Sequence, residues 1–214
     1  IKEKQENKEL GNYSPLRPIF TKEMKKDYTI LIPQMAPIHF ELLESAVRAS
    51  GYNAVLLREC TQKTVETGLK YVNNDACYPS ILTTGQFIEA LQSGKYDLDK
   101  TAIIMSQTGG GTNYIGFIRK ALKDAGFEKV PIISFNVVGM EKMPGFKLTL
   151  PLLERLLKMV IYGDLLQKML TKNRAYEINK GETEKLFNEW LEKCKKLVAK
   201  STNKQFKQSI YDIV

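Results

Sequence analysis

The sequence has few of the features that mark common functional classes: it holds little cysteine, a single histidine and no long apolar run. Its three cysteines, Cys60, Cys77 and Cys194, lie 17 and 117 residues apart. This spacing excludes a disulfide framework and the paired cysteines of a zinc site, and we expect a reducing, cytoplasmic setting. The apolar stretches are short or interrupted by charged residues, which excludes a helix that crosses a bilayer.

The ends of the chain are charged. The first ten residues, IKEKQENKEL, lack the apolar centre of a secretory signal. The chain starts with Ile1 rather than methionine, so we expect it to be part of a longer protein. The net charge is +8, but the excess lies within residues 1–27 and 168–214, and no basic stripe with interleaved aromatic residues accompanies it. We therefore do not expect nucleic-acid binding.

Between residues 28 and 148, short apolar runs alternate with stretches of helical periodicity. The runs are continuously apolar, which is typical of parallel strands that are buried on both faces. The pattern predicts a doubly wound, mostly parallel α/β sheet of the Rossmann or flavodoxin-like type. Predicted strands cover residues 28–33, 53–57, 101–105 and 130–134, and predicted helices cover residues 36–51, 61–72, 80–94 and 112–126.

The remaining segments predict an N-terminal arm over residues 1–27 and a helical extension over residues 149–214. The extension holds two helical patterns, residues 149–170 and 182–198. Apolar residues cover most of the circumference of the first pattern, which predicts packing on both of its sides. Cys194 lies on the apolar stripe of the second, where a thiol acts as a small buried hydrophobe. We expect the extension to pack on the α/β domain or on a neighbouring domain.

Ligands bind to such sheets beyond the carboxyl ends of the strands, so the loops there are candidate sites. The segment SQTGGGTN carries Gly109, Gly110 and Gly111 between a strand and a helix, with Asn113 at the helix start. Backbone N–H groups in such a loop suit a phosphate or another anion, although a tight turn explains three glycines equally well. The spacing matches neither a dinucleotide-binding loop nor a P-loop.

Cys77 lies in the segment NNDACYPSI and has no cysteine, histidine or carboxylate partner at metal-ligand spacing. A nucleophilic role would need a base, and only His39 is available. His39 falls in the first turn of a predicted helix without an obvious carboxylate partner, so we expect a histidine at the edge of the core rather than a base. Cys60 follows a strand and precedes Thr61, a natural helix cap, and packing is the favoured interpretation for this thiol.

Three stretches together resemble one family: YVNNDACYPSILTTGQFIEAL, IIMSQTGGGTNYIGFIRKAL and FNVVGMEKMPGFKLTLPLLERLLKMVIYGDLL. They are similar to the dehydratase-like region of large CoA-substrate-specific enzyme activase proteins, which is related to the 2-hydroxyacyl-CoA (2-hydroxyglutaryl-CoA) dehydratase system. The resemblance covers about residues 14–195. In that system an ATP-hydrolysing activator with a [4Fe–4S] cluster delivers a low-potential electron to a dehydratase component that holds clusters of its own.

The resemblance implies that Cys77 is a ligand of an iron–sulfur cluster, expected to be a [4Fe–4S] cluster. Cluster ligation requires thiolates, and a loop near helix N-termini stabilises them. The polar groups expected around the cluster are those of Asn73, Asn74, Tyr78 and Asn113.

The sequence departs from the family where a second ligand is expected. The family has Cys-Arg-Ala before the Thr-Asn-Tyr motif, whereas here Gly111 precedes Thr112 directly. Either the ligand has been lost or three residues are missing after Gly111, and the second interpretation is favoured. Cys60 is the remaining candidate ligand.

The resemblance also implies partners: other domains of the same polypeptide, an ATP-dependent activator domain and an acyl-CoA substrate. Because the activator's own phosphate-binding motifs are absent, we expect this chain alone neither to hydrolyse ATP nor to complete a dehydration. The alternative is a metal-free flavodoxin-like scaffold that binds CoA or another phosphate-bearing ligand through Gly109–Gly111. A third interpretation is a docking domain whose C-terminal helices pack on a partner.

Overall fold

The computed structural model describes residues 18–106, 111–135 and 143–214. Within these residues all strands belong to one parallel sheet, and helices cover both of its faces. This architecture confirms the predicted α/β class. The strands are β1 (Thr29–Pro33), β2 (Asn53–Leu57), β3 (Thr101–Ser106) and β4 (Ile132–Phe135), and their order across the sheet is β2-β1-β3-β4.

The helices lie close to where the periodicity predicted them, and their ends move by at most four residues. Among the described residues the structure adds two α-helices that the sequence pattern did not predict, one before β1 and one at the C-terminus. In chain order the helices are α1 (Met24–Asp27), α2 (Pro37–Ala49), α3 (Gln62–Tyr71), α4 (Tyr78–Gln92), α5 (Gly111–Asp124), α6 (Leu150–Arg174), α7 (Glu182–Ala199) and α8 (Asn203–Ile213).

The sheet is buried on both faces, and β1 shows this most directly. Ile30 and Ile32 contribute to a core with α2 on one face, whereas Leu31 contributes to a core with α4 and α5 on the other. Successive side chains of a strand point to opposite faces, so a continuously apolar strand fills two cores. Phe20, which lies within the predicted arm, is fully buried in the first of these cores.

The order of the strands places the reversal of the chain between β1 and β3. The connection from β1 leads outward to β2 on one side, and the later strands β3 and β4 lie on the other side. In a doubly wound sheet the crevice at such a reversal, beyond the carboxyl ends of the strands, is the usual ligand site. The end of α4 leads into the amino end of β3, so α4 begins at the carboxyl edge of the sheet. The chain then leaves the carboxyl end of β3 and enters α5, so α5 begins at the same edge.

Two glycines allow α3 and α4 to pack very closely. A Cβ atom on Gly68 would lie 2.1 Å from the carbonyl oxygen of Ile81, and a Cβ atom on Gly85 would lie 2.0 Å from that of Thr64. Only a residue without a side chain fits at these two positions. The contact holds α4, and with it the loop before α4, against α3.

The C-terminal helices pack on α2 rather than directly on the strands. Leu42 of α2 meets Tyr162 and Leu166 of α6 and Cys194 of α7 in a third apolar core. Cys194 is fully buried, which confirms the structural role predicted for it. Burial raises the pKa of its thiol to about 12. Cys194 is therefore a neutral packing residue at physiological pH.

Within the described part of the chain α6 packs on one side, and packing on its other side, which was expected to involve the α/β domain or a neighbouring domain, stays a prediction. One side of α6 contacts α2 and α7, but a row of apolar residues on another side is exposed, with Leu150 82% exposed and Leu157 59% exposed. The physical reason is that one layer of neighbouring helices covers only part of a helix circumference. The exposed row also contains Leu153, Val160 and Ile161.

Among the described helices, none combines the length and the apolar character needed to cross a membrane.

Candidate functional site

Cys77 is the residue immediately before α4, so the structure places it at the carboxyl edge of the sheet. Its backbone is extended, with φ −61° and ψ 141°, and its side chain is exposed. The carbonyl oxygen of Cys77 accepts a 2.9 Å hydrogen bond from the N–H of Ser80 and a 2.8 Å bond from the hydroxyl of Ser80. Pro79 occupies the first turn of α4, where the missing N–H costs nothing. These contacts fix the loop and present the thiol to solvent.

The Cys77 thiol contacts the first turn of α5. Its Sγ atom lies 3.1 Å from the hydroxyl oxygen of Tyr114 and donates a hydrogen bond to it. Tyr114 also packs against the core between α4, α5 and the sheet. The contact therefore joins the N-terminal turns of two helices at the edge where the strands end.

The surroundings favour the thiolate form of Cys77. Hydrogen bonds from the Tyr114 and Ser80 side chains lower the pKa of the Cys77 thiol below its ordinary value. The same contact with Cys77 raises the pKa of Tyr114. Both directions have one cause: once the thiol is ionised, the tyrosine O–H donates the hydrogen bond to the sulfur, which stabilises the thiolate and retains the tyrosine proton. The positive ends of the α4 and α5 dipoles stabilise that charge further.

The glycine loop is only partly described. Gly109 and Gly110 lie outside the described residues. Gly111 is the first residue of α5, and Asn113 lies in the first turn of that helix. Tyr114 follows Asn113 directly, so its contact with Cys77 brings the Cys77 loop next to the end of the glycine loop.

The expected second ligand is not found. Gly111 and Thr112 are consecutive in the chain and both belong to the continuous helix α5. The favoured interpretation, that three residues are missing after Gly111, stays a prediction. The site offers Tyr114 beside Cys77 where the resemblance implied a second thiol.

The other predicted site residues lie at the same edge but do not bond to the thiol. Cys60 is exposed in the segment that follows β2. The side chain of Asn73 accepts a 3.3 Å bond from the N–H of Asp75, which shapes the turn before Cys77. Within the described residues, no hydrogen bond joins Cys60, Asn74 or Tyr78 to the Cys77 thiol. Their proposed roles around a cluster remain predictions.

The sequence analysis did not identify Gln86, which joins α4 to the ends of two strands by hydrogen bonds. This residue of α4 is 3% exposed, and its Oε1 accepts a 3.0 Å hydrogen bond from the N–H of Gln34, just after β1. Its Nε2 donates to the carbonyl oxygens of Leu57 and Glu59, at the end of β2. One buried amide thus ties α4 to two strand ends. The sequence signal was a glutamine within the otherwise apolar face of TTGQFIEAL.

The expectation that His39 has no carboxylate partner is wrong. Its Nε2 atom lies 3.0 Å from Oδ1 of Asp164, which is 125 residues away in the chain. The imidazole ring lies against the backbone of α6, where a Cβ atom on Gly163 would come within 2.3 Å of the ring. The partner was invisible to sequence reasoning because it depends on how α6 packs against α2. His39 is nevertheless at the edge of the core, as expected, with its side chain 20% exposed.

The described residues do not by themselves supply the donor set of a complete iron–sulfur cluster. Among the residues that the structure describes, no three or more histidine, cysteine, aspartate or glutamate side chains are grouped closely enough to hold a metal ion. Cys77 contributes one thiolate, whereas a [4Fe–4S] cluster is commonly held by four. The arrangement can present one exposed, stabilised thiolate, either as a single soft ligand or as a nucleophile.

Comparison with known proteins adds no assignment: no family model, no curated protein and no solved structure gives a significant match.

Proposed function

We propose that this chain is a dehydratase-like module of a 2-hydroxyacyl-CoA dehydratase or activase-type protein that acts in low-potential electron transfer. In this proposal Cys77 supplies one thiolate ligand to an iron–sulfur cluster. The remaining ligands come from outside the described residues, in another domain of a longer polypeptide or in a partner protein. The observation that carries the proposal is the 3.1 Å contact between Cys77 and Tyr114 at the shared N-terminal edge of α4 and α5.

Two physical features support this assignment. Ligation of iron through cysteine requires a thiolate, and the Tyr114 and Ser80 hydrogen bonds lower the pKa of the Cys77 thiol. A cluster shared between polypeptides needs a ligand that other groups can approach, and Cys77 is exposed. The proposal places the chain in a reducing cytoplasm, beside an ATP-dependent activator domain and with an acyl-CoA as the substrate of the whole system.

Anaerobic reconstitution of the 214-residue chain tests the proposal. Fe²⁺, sulfide and a small dithiol are added, because the dithiol can replace ligands that this chain does not provide. We expect iron and acid-labile sulfide to remain bound after desalting in the wild type and in a Cys60→Ala control, and to be lost in Cys77→Ala. Equal iron content in all three samples, or none in the wild type, would reject Cys77 as a ligand.

The alternative is a metal-free scaffold that binds CoA or another phosphate-bearing ligand through Gly109–Gly111. One observation favours it: two helices, α4 and α5, begin side by side at this edge, and helix N-termini attract anions. Titration of the iron-free chain with CoA separates the two functions. CoA binding that Cys77→Ala leaves unchanged favours the scaffold, whereas iron binding that requires Cys77 favours the cluster module.

A further inference from the structure

A cavity of about 390 Å³ lies at the opposite edge of the sheet from Cys77. It is formed where the segment before α1 and the segment before α6 meet the end of α2. Ser50 and Tyr52, which precede β2, line it and mark the amino edge of the strands. Its volume lies in the range of small-molecule sites.

The walls of the cavity are built by specific close contacts. The N–H of Gly145 donates a 2.9 Å hydrogen bond to the carbonyl oxygen of Phe20, which joins the two segments. A Cβ atom on Gly145 would lie 2.0 Å from the carbonyl oxygen of Thr21, so a side chain cannot be placed there. Tyr52 packs against Phe146, with ring centroids 4.8 Å apart. These contacts preform the cavity.

The described lining of the cavity carries three positive charges and lies beside one carboxylate, since the charge of Lys22 contributes to lowering the pKa of Glu23. Lys22, Lys25 and Lys147 line the cavity, and no aspartate or glutamate is among the described residues of its lining. Within the described part of the chain, none of these three ammonium groups forms an ion pair with a carboxylate. The ammonium group of Lys25 lies 4.3 Å from the centre of the Tyr52 ring, which holds this charge over the cavity.

Backbone and tyrosine groups add to the positive lining. Thr149, the N-cap residue of the 25-residue helix α6, also lines the cavity, so the positive end of that helix dipole faces it. Tyr52 is 5% exposed, and its hydroxyl oxygen accepts a 3.0 Å hydrogen bond from the N–H of Lys147. Within the described residues the Tyr52 hydroxyl donates no hydrogen bond. A buried hydroxyl of this kind is available to an acceptor on a ligand.

We propose that this cavity binds a phosphate-bearing small molecule of nucleotide size. The phosphate would meet the lysine ammonium groups and the start of α6, and Pro144 would contact the less polar body of the ligand. An unpaired cluster of lysines beside a helix N-terminus matches the charge of a phosphate monoester. The cavity and the Cys77 site lie at opposite edges of the sheet, so this site is separate from the one proposed to bind a cluster.

Calorimetric titration of the iron-free chain with AMP, and with adenosine as the uncharged comparison, tests the proposal. We expect AMP to bind and adenosine not to bind, and we expect affinity for AMP to fall as ionic strength rises. The double variant Lys25→Gln/Lys147→Gln should bind AMP about tenfold more weakly or worse, since it loses two charge-assisted contacts. Tyr52→Phe keeps the ring and should weaken binding by a smaller factor.

The matched control is Lys70→Gln, which removes an exposed lysine at the end of α3 and should leave AMP affinity unchanged. Thermal unfolding of each variant checks that it folds. Equal affinity in the double variant and the wild type, equal binding of adenosine, or no binding of AMP at millimolar concentration would each overturn the proposal. These samples contain no iron, so failure here leaves the proposal for Cys77 untouched.

Discussion

The Sγ atom of Cys77 lies 3.1 Å from the hydroxyl oxygen of Tyr114, and this contact joins the first turns of α4 and α5. The two residues are 37 positions apart, and both helices begin beyond the carboxyl ends of the strands. The tyrosine hydroxyl and the helix N-termini stabilise negative charge on the sulfur. Cys77 is thus the described thiol whose surroundings suit ligation or nucleophilic chemistry.

Replacing Tyr114 should make Cys77 less reactive. In Tyr114→Phe the thiolate loses the hydrogen bond that contributes most to lowering its pKa, so the pKa of Cys77 should rise. At neutral pH a smaller fraction of Cys77 is then ionised, and alkylation by iodoacetamide should be slower. The rate is measured against pH by peptide mass spectrometry, with Cys60 in the same sample as the internal control. An unchanged pH profile for Cys77 would show that Tyr114 does not stabilise the thiolate.

Cys194 should be unreactive in the folded chain and sensitive to a polar replacement. It is fully buried, and its pKa of about 12 keeps it protonated near neutral pH. Cys194→Ser places a hydroxyl in an apolar core and should lower the free energy of unfolding by about 1–3 kcal/mol. Urea denaturation measures the loss. The control Cys60→Ser, at an exposed site, should change the free energy of unfolding by less than about 0.5 kcal/mol.

Replacing Gly163 by a residue with a side chain should lower the stability of the fold while His39 is present. A Cβ atom at this position would lie 2.3 Å from the imidazole ring, so Gly163→Ala should cost about 1–3 kcal/mol of stability through overcrowding. The double variant Gly163→Ala/His39→Ala removes the clash and should cost less than the sum of the two single changes. Strict additivity of the two changes would contradict the contact.

The control for this experiment is Gly116→Ala. Gly116 lies within α5, and a Cβ atom there would meet no other atom within 4 Å. Because alanine favours helix more than glycine, this variant should be stabilised by about 0.5–1 kcal/mol. The opposite signs of the two glycine substitutions separate the local clash from general helix propensity.

Gln86→Leu should destabilise the carboxyl edge of the sheet. The change leaves the N–H of Gln34 and the carbonyl oxygens of Leu57 and Glu59 without the buried amide that now pairs with them. Each buried polar group without a partner costs about 1–3 kcal/mol, so the loss in unfolding free energy should reach at least that amount. Gln92→Leu, an exposed change in the last turn of α4, serves as the control. Equal stability of the two variants would refute the role of Gln86.

The stabilising contribution of Glu41 should disappear in acid. Its carboxylate bonds to Arg58 at 2.7 Å and to Lys195 of α7 at 2.9 Å. Burial by itself raises the pKa of Glu41, but the hydrogen bonds from Arg58 and Lys195 outweigh it, and the pKa lies below its ordinary value. A carboxyl group with a lowered folded-state pKa stabilises the fold above its unfolded-state pKa, and that contribution is lost as pH falls through the folded-state pKa.

The corresponding measurement is the melting temperature of wild type and Glu41→Gln against pH. The wild type should melt at a higher temperature near neutral pH, and the difference should shrink once the pH falls below the ordinary range of a glutamate. A difference that stays constant down to that acid range would show that the charge of Glu41 is not responsible.

Local pattern was sufficient for the fold but not for the site. Continuous apolar runs predicted β1 and β3 because burial on both faces leaves no polar positions, and Cys194 was assigned to a core from helical spacing alone. The spacing in α6 shows which of its residues are apolar but not which neighbours cover them.

The sequence by itself determined the alternation of strands and helices and which faces are apolar, because both depend on residues within one or two turns of each other. Only the tertiary structure decided that Cys77 meets Tyr114, that His39 meets Asp164 and that three lysines line one cavity. These pairings join residues far apart in the chain. They depend on the distances and angles at which helices pack, which cannot be predicted from side-chain periodicity.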